Sequence, residues 1–267
     1  MFRFRKLRRF IRKCAGIQEK TSLPAVQYNV VPSGVDYVFR PESDFFNLQV
    51  KLVFQAAGGP FETPGMVTEN TAISRKFLLD SSYHRVINIG SGVGTFENVA
   101  ARENPEISFV ASDYDRDSVE WCRKNRPMKN VEYCTDSITQ LLERFPPFDL
   151  AVSIDVIEHM ENYKRFLDDF VKLAPNAIIA TPNRDRYDHI EHMITPPYPY
   201  HVQEFDAGEM FFILRMYYRH VRLYGMPSYD EERIEKMGIC TRWPVIIAFC
   251  SNEDLEKNNS DTNSINP

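Results

Sequence analysis

The sequence predicts an α/β fold: a doubly wound, mostly parallel sheet of seven strands with helices on both faces, preceded by an N-terminal cap. Three observations carry that expectation. Short apolar runs alternate with amphipathic segments between residues 81 and 250, the pattern of a parallel sheet with crossover helices. The first run, Val86-Ile87-Asn88-Ile89, empties into Gly90-Ser91-Gly92-Val93-Gly94, three glycines in five positions. Four successive strands then end in polar residues, at the carboxyl edge where open α/β sheets bind ligands.

The chain opens on a charge imbalance. Residues 1–20 hold eight Lys or Arg and one acid, a balance of +7, so with −5 overall the remaining chain carries −12. Phe4, Leu7, Ile11 and Cys14 recur at helical spacing with cations between them, a basic amphipathic segment suited to an anionic membrane surface. A solvated terminus, a targeting segment and a nucleic-acid arm are the alternatives. Residues 21–80 read as a cap or lid in which Pro24, Pro32, Pro41, Pro60, Pro64 and Gly65 interrupt helix until residues 71–80 lead into the core.

The domain proper spans residues 81–250. Strands are expected at 86–89, 107–112, 131–134, 148–154, 178–183, 219–224 and 244–250, with helices at 96–103, 117–125, 137–144, 163–173 and 207–216. Residues 251–267 are polar and read as a disordered tail. At 43% hydrophobic and 13% aromatic, the chain has ample material for a core. No stretch approaches 18 apolar residues, so no membrane-spanning helix is expected. Cys14, Cys122, Cys134, Cys240 and Cys250 are scattered without zinc spacing and read as free thiols of a reducing compartment. The expected location is cytoplasmic, peripheral on the inner membrane surface if residues 1–20 bind it.

Glycines at the end of the first strand let a ligand approach the backbone and permit positive φ, and the following helix adds unpaired N–H groups at its start. Asp113, about 20 residues further on, stands where doubly wound folds place an acid for ribose hydroxyls. Asp136, at the end of the third strand, suits an adenine amino group.

The runs INIGSGVGTF, VASDYD, CTDSI, FDLAVSIDVIEHM and IIATPN follow one another in the order and spacing of a class I S-adenosylmethionine-dependent methyltransferase, and the resemblance covers roughly residues 81–225. It implies a Rossmann-like fold, S-adenosylmethionine as cofactor, and cofactor contacts from Asn88, Gly90, Ser91, Gly92, Gly94, Asp113, Tyr114, Asp136, Ser137 and Asp155. One departure matters: the family usually has an acid, commonly supporting the cofactor's methionine amino group, where Asn88 stands. A carbonyl oxygen remains there, so weakened binding is expected rather than none.

His159, His201 and Asp155 are the catalytic candidates, because a histidine that titrates near neutrality suits proton removal from a hydroxyl. The other role for Glu158-His159 is a structural helix start. Residues 183–199 form an acceptor loop, with Tyr187, His189, His192, Tyr198 and the adjoining Tyr200 able to stack on a sugar. The implied reaction is O-methylation of a small molecule or glycan, including a lipid-linked saccharide if the basic head binds membrane; N-methylation is open. No resident metal is assigned. As an alternative, Asp155, Glu158, His159 and His201 resemble the metal-binding set of the small-RNA 3′-end 2′-O-methyltransferases. The acidic body argues against nucleic acid as a partner. A catalytically inactive adaptor with the same fold is the third reading.

Overall fold

The computed structural model describes residues 64–79, 81–186 and 201–253. The basic head, most of the expected cap, Tyr187, His189, His192, Tyr198, Tyr200 and the tail from residue 254 lie outside the described residues. The helices are α1 (Pro64–Phe77), α2 (Thr95–Glu103), α3 (Arg116–Asn125), α4 (Ile138–Arg144), α5 (Tyr163–Phe170) and α6 (Ala207–Leu214). The strands are β1 (Arg85–Ile89), β2 (Ser108–Ser112), β3 (Val131–Cys134), β4 (Leu150–Ile154), β5 (Asn176–Pro182), β6 (His220–Met226), β7 (Glu235–Lys236) and β8 (Val245–Ser251). No helix of the described residues is long and apolar enough to cross a membrane.

All eight strands form one sheet in the order β3-β2-β1-β4-β5-β8-β6-β7. Strands β1 to β5 pair in parallel. Because β8 is antiparallel to both β5 and β6, β6 runs with the first five and the sheet is mostly parallel, as expected. The strand beyond the expected seven is β7, two residues opposite Tyr224 and Gly225, too short to leave any alternation in the sequence. With β2 on one side of β1 and β4 on the other, the winding reverses between β1 and β4, and a crevice opens there at the carboxyl edge.

Neighbouring residues of one strand feed opposite cores. Val86, Phe109, Val152 and Ile178 pack with Ile73 of α1 and Phe96 of α2 on one face. Ile87, Ala151 and Ile179 pack with Phe166, Leu167 and Phe170 of α5 and Leu214 of α6 on the other. Each wholly buried Phe contributes roughly 1.5–3 kcal/mol relative to exposure.

Two helices differ from expectation. α1 begins at Pro64, which the sequence reading treats as a breaker; at the first helical position proline lacks only an N–H that has no intrahelical partner, and its fixed φ suits the turn. α5 stops at Phe170 rather than 173, because the Lys172 and Leu173 N–H groups bond three residues back, to Asp169 and Phe170, and tighten the last turn. Leu173 is buried nonetheless.

The entry into β1 is held by one carboxylate. Asp149 Oδ2 accepts the backbone N–H groups of His84 (2.7 Å) and Arg85 (2.8 Å), tying the start of β1 to the start of β4. Asp149→Ala leaves both donors without that acceptor and should cost about 1–3 kcal/mol. The expected result is a lower urea midpoint with an unchanged denaturant slope.

Candidate active site

The β1–α2 loop is built by left-handed glycines: Gly90, Gly92 and Gly94 have φ of 79°, 53° and 69°. A Cβ on Gly90 would lie 2.3 Å from Val156 Cγ2, so this loop touches the chain leaving β4. A Cβ on Gly92 would meet nothing within 4 Å; open space lies over the loop at that point. The Gly92 N–H donates to Asp113 Oδ2 (2.7 Å), and Asp113 Oδ1 accepts the Asp115 N–H (2.8 Å). Burial pushes Asp113 up to about 6. Ser91 Oγ is buried without a hydrogen-bond partner, as is Asn88 Oδ1.

The adenine side is more occupied than the sequence suggests. Asp136 is paired with Arg144 at 2.5 Å, and its backbone carbonyl accepts Ser112 Oγ at 2.6 Å. Ser137 caps α4 in a reciprocal arrangement with Gln140, so its hydroxyl serves the helix. Tyr114 is half exposed beside the Asp113 turn.

At the end of β4, Asp155 is held at φ 54°, a left-handed conformation rare outside glycine, and its N–H donates to the Ala180 carbonyl (3.0 Å). The short 3-10 turn Ile157–His159 follows. Glu158 is wholly buried; its Oε2 accepts Thr181 Oγ1 (2.9 Å), while its backbone carbonyl accepts the N–H groups of Val202 (2.9 Å) and Gln203 (3.2 Å). Those bonds bring His201 to the site from 42 residues away in sequence. The His159 and His201 rings lie edge to face with centroids 4.9 Å apart. His201 Nδ1 is 2.6 Å from Glu204 Oε1, and Nε2 is 4.0 Å from Glu158 Oε1. The carboxylate of Glu204 favours the tautomer with the proton on Nδ1, which leaves Nε2 the basic nitrogen. Glu204 also pairs with Arg186 at 3.3 Å.

One carboxylate oxygen of Glu158 and one nitrogen of each of His159 and His201 lie within 4.8 Å of one another, close enough to share one divalent ion. This goes beyond the metal-free site expected from the sequence and matches three of the four donors of the alternative, Asp155 not being among them. Burial is also the first cause of the raised Asp155 and Glu158 carboxyls, both at about 7; for Asp155 the nearby Glu158 adds to it.

The structure thus brings Asp155, His159 and His201 together with the glycine loop, and leaves the Asp136 carboxylate and the Ser137 hydroxyl committed to α4. Three carboxylates at the site were missed. Glu69 of α1 is buried with Oε1 unpartnered, and burial followed by Asp155 and Glu158 raises its pKa. Glu97 of α2 is buried against Asn88. Glu204 holds His201. A signal existed for Glu97: it stands one residue after Phe96 and three before Ala100, a charge on the apolar face of a helix.

A family model described as a methyltransferase domain matches residues 2–235. The chain belongs to that family and is a class I, S-adenosylmethionine-dependent methyltransferase. Among solved structures, the plantazolicin methyltransferase BpumL in complex with SAH is 12% identical, with TM-score 0.58 over 79% of this chain and 92% of that one. The methyltransferase domain of bacterial CtHen1-C is 18% identical, with TM-score 0.51 over 69% and 97%. The small RNA methyltransferase HEN1 is 16% identical, with TM-score 0.53 over 69% of this chain and 25% of that one. At these identities the likeness is one of fold. No curated protein sequence matches.

The raised carboxyls make stability pH-dependent. A buried acid with a folded pKa near 7 and an unfolded value near 4 binds more protons when folded, so stability falls as pH rises from about 4 to 7. Asp155→Asn keeps a residue tolerant of left-handed backbone and removes the charge. It should raise the melting temperature at pH 8 by at least about 2–4 °C, the equivalent of about 1 kcal/mol, and by less at pH 5.

Proposed function

We propose that this methyltransferase O-methylates a small molecule or glycan, with a histidine of the β4-end site removing the hydroxyl proton. The observation that carries this reading is His201 Nδ1 held by buried Glu204, with Nε2 and His159 at the carboxyl edge beside the glycine loop. S-Adenosylmethionine would be held by the β1–α2 loop, Asp113 and Asp155; the open space at Gly92 and the unpartnered Ser91 Oγ and Asn88 Oδ1 suit it. When bound, it supplies an electrophilic methyl group whose C–S bond electrons return to sulfur as the acceptor oxygen forms the new C–O bond. The protein's part is positioning and deprotonation: His201 Nε2 takes the acceptor's proton, and Glu204 stabilises the imidazolium that results. His159 packs against His201 and is the second candidate for that proton.

A second reading, metal-dependent 2′-O-methylation of RNA, is favoured by one observation, the shared reach of Glu158, His159 and His201. These three would hold a divalent ion, whose chemistry is to polarise a hydroxyl. The −12 balance of residues 21–267 weighs against a polyanionic acceptor and keeps this reading second.

A screen of saccharides, lipid-linked saccharides and RNA with tritiated S-adenosylmethionine, in Mn²⁺ and in EDTA, separates the two. Saccharide labelling that falls about 100-fold or more in His201→Gln is the expected result. Mn²⁺-dependent label on RNA alone would sink it in favour of the second reading. We further propose that residues 1–20 place the enzyme at an anionic membrane surface. Deletion of those residues should abolish co-sedimentation with anionic vesicles, and unchanged partition would remove that idea.

A further inference from the structure

We propose that Glu97 is a positioning residue for the cofactor's methionine ammonium group, acting through Asn88, and so returns to helix α2 the negative charge that the end of β1 lacks. The proposal rests on the cofactor reading above and deepens it.

The geometry is compact. Asn88 Nδ2 donates to Glu97 Oε1 at 2.8 Å, and both residues are buried. Glu97 Oε2 and Asn88 Oδ1 have no hydrogen-bond partner. A buried carboxylate held only by the Asn88 amide and its own backbone N–H is costly to a folded protein. Its place in the first turn of α2 returns only about 0.3–1 kcal/mol from the helix dipole, too little to explain its presence. With Nδ2 committed to Glu97, the Asn88 amide presents Oδ1 from its other branch as an acceptor, and the Glu97 charge stands behind it. An ammonium group carries three N–H donors and a positive charge, matching an amide oxygen backed by a carboxylate.

The surroundings compensate that charge only in part. Arg126, at the end of α3, lowers the Glu97 pKa but donates through Nη1 to the Val93 carbonyl (2.8 Å). Asp113 faces Glu97 from the end of β2 and raises it, and Tyr133 lies alongside from β3. Burial is the largest influence and holds Glu97 at about 7, so cofactor binding near pH 7 releases a proton from it.

The test is calorimetric titration of the full chain with S-adenosylhomocysteine, which carries the ammonium group, and with 5′-methylthioadenosine, which does not. Glu97→Gln keeps an acceptor oxygen for Asn88 and removes the charge. At pH 8 it should weaken S-adenosylhomocysteine about 10- to 100-fold and leave 5′-methylthioadenosine unchanged. Asn88→Asp combined with Glu97→Gln returns a single charge to the end of β1 and should restore wild-type affinity. Proton release, read as a dependence of binding enthalpy on the buffer at pH 7, should vanish in Glu97→Gln. Equal loss for both ligands in Glu97→Gln, or unchanged affinity for S-adenosylhomocysteine, overturns the proposal alone. Failure of the wild-type protein to bind S-adenosylhomocysteine overturns the cofactor reading and the proposal with it.

Discussion

A Cβ at residue 90 would lie 2.3 Å from the Val156 side chain, so the loop leaving β1 and the chain leaving β4 meet as they do only while residue 90 is glycine. That contact fixes the distance between the ligand-facing backbone of Gly90–Gly94 and the residues that follow β4. Asp155 immediately precedes Val156 and takes a left-handed backbone to make the turn. Glu158 and His159 follow within one tight turn, and the Glu158 carbonyl gathers Val202 and Gln203, and with them His201. The carboxyl edge is therefore laid out by the close approach of Gly90 to Val156 and by the hydrogen bonds that the Glu158 carbonyl accepts.

Electrostatics at the same edge run against stability. Glu69, Glu97 and Glu158 are buried and Asp155 is partly so, and desolvation is the first cause of each raised pKa. A chain selected for stability alone would not gather four acids behind a sheet. A cationic ligand bound there would offset these charges and stabilise the folded state by mass action. Strained backbone at Asp155 belongs to the same pattern, a local cost retained at the carboxyl edge of the sheet.

The parallel half of the sheet was legible because β2, β4 and β5 are buried apolar runs followed by polar residues, and the loop after β1 announces itself by glycine. His159 and Asp155 were legible for the same reason, since they follow a strand directly. The pairing of Asp136 with Arg144 was not, because it depends on where α4 turns and not on the residues after β3. Eight residues separate them in sequence, yet each reads locally as an ordinary surface charge. The edge strand β7 was hidden by its length. Glu69 was hidden because it reaches the site from α1, distant in sequence, and Glu204 because its position three residues after His201 does not show that its carboxylate turns back to that ring.

Residues 184–186 and 201–205 flank the segment 187–200, and both flanks are fastened. The Arg184 N–H donates to the Phe205 carbonyl at 2.8 Å, Arg186 pairs with Glu204, and Val202 and Gln203 hang from the Glu158 carbonyl. The two ends of the segment between are thus riveted to the chemical centre and to each other. A segment closed in this way can change its length and its side chains at the small entropic cost of a longer loop. His201 is held by bonds made outside that segment, so on the proposed reading substitutions there would alter which acceptor is taken and leave the base in place.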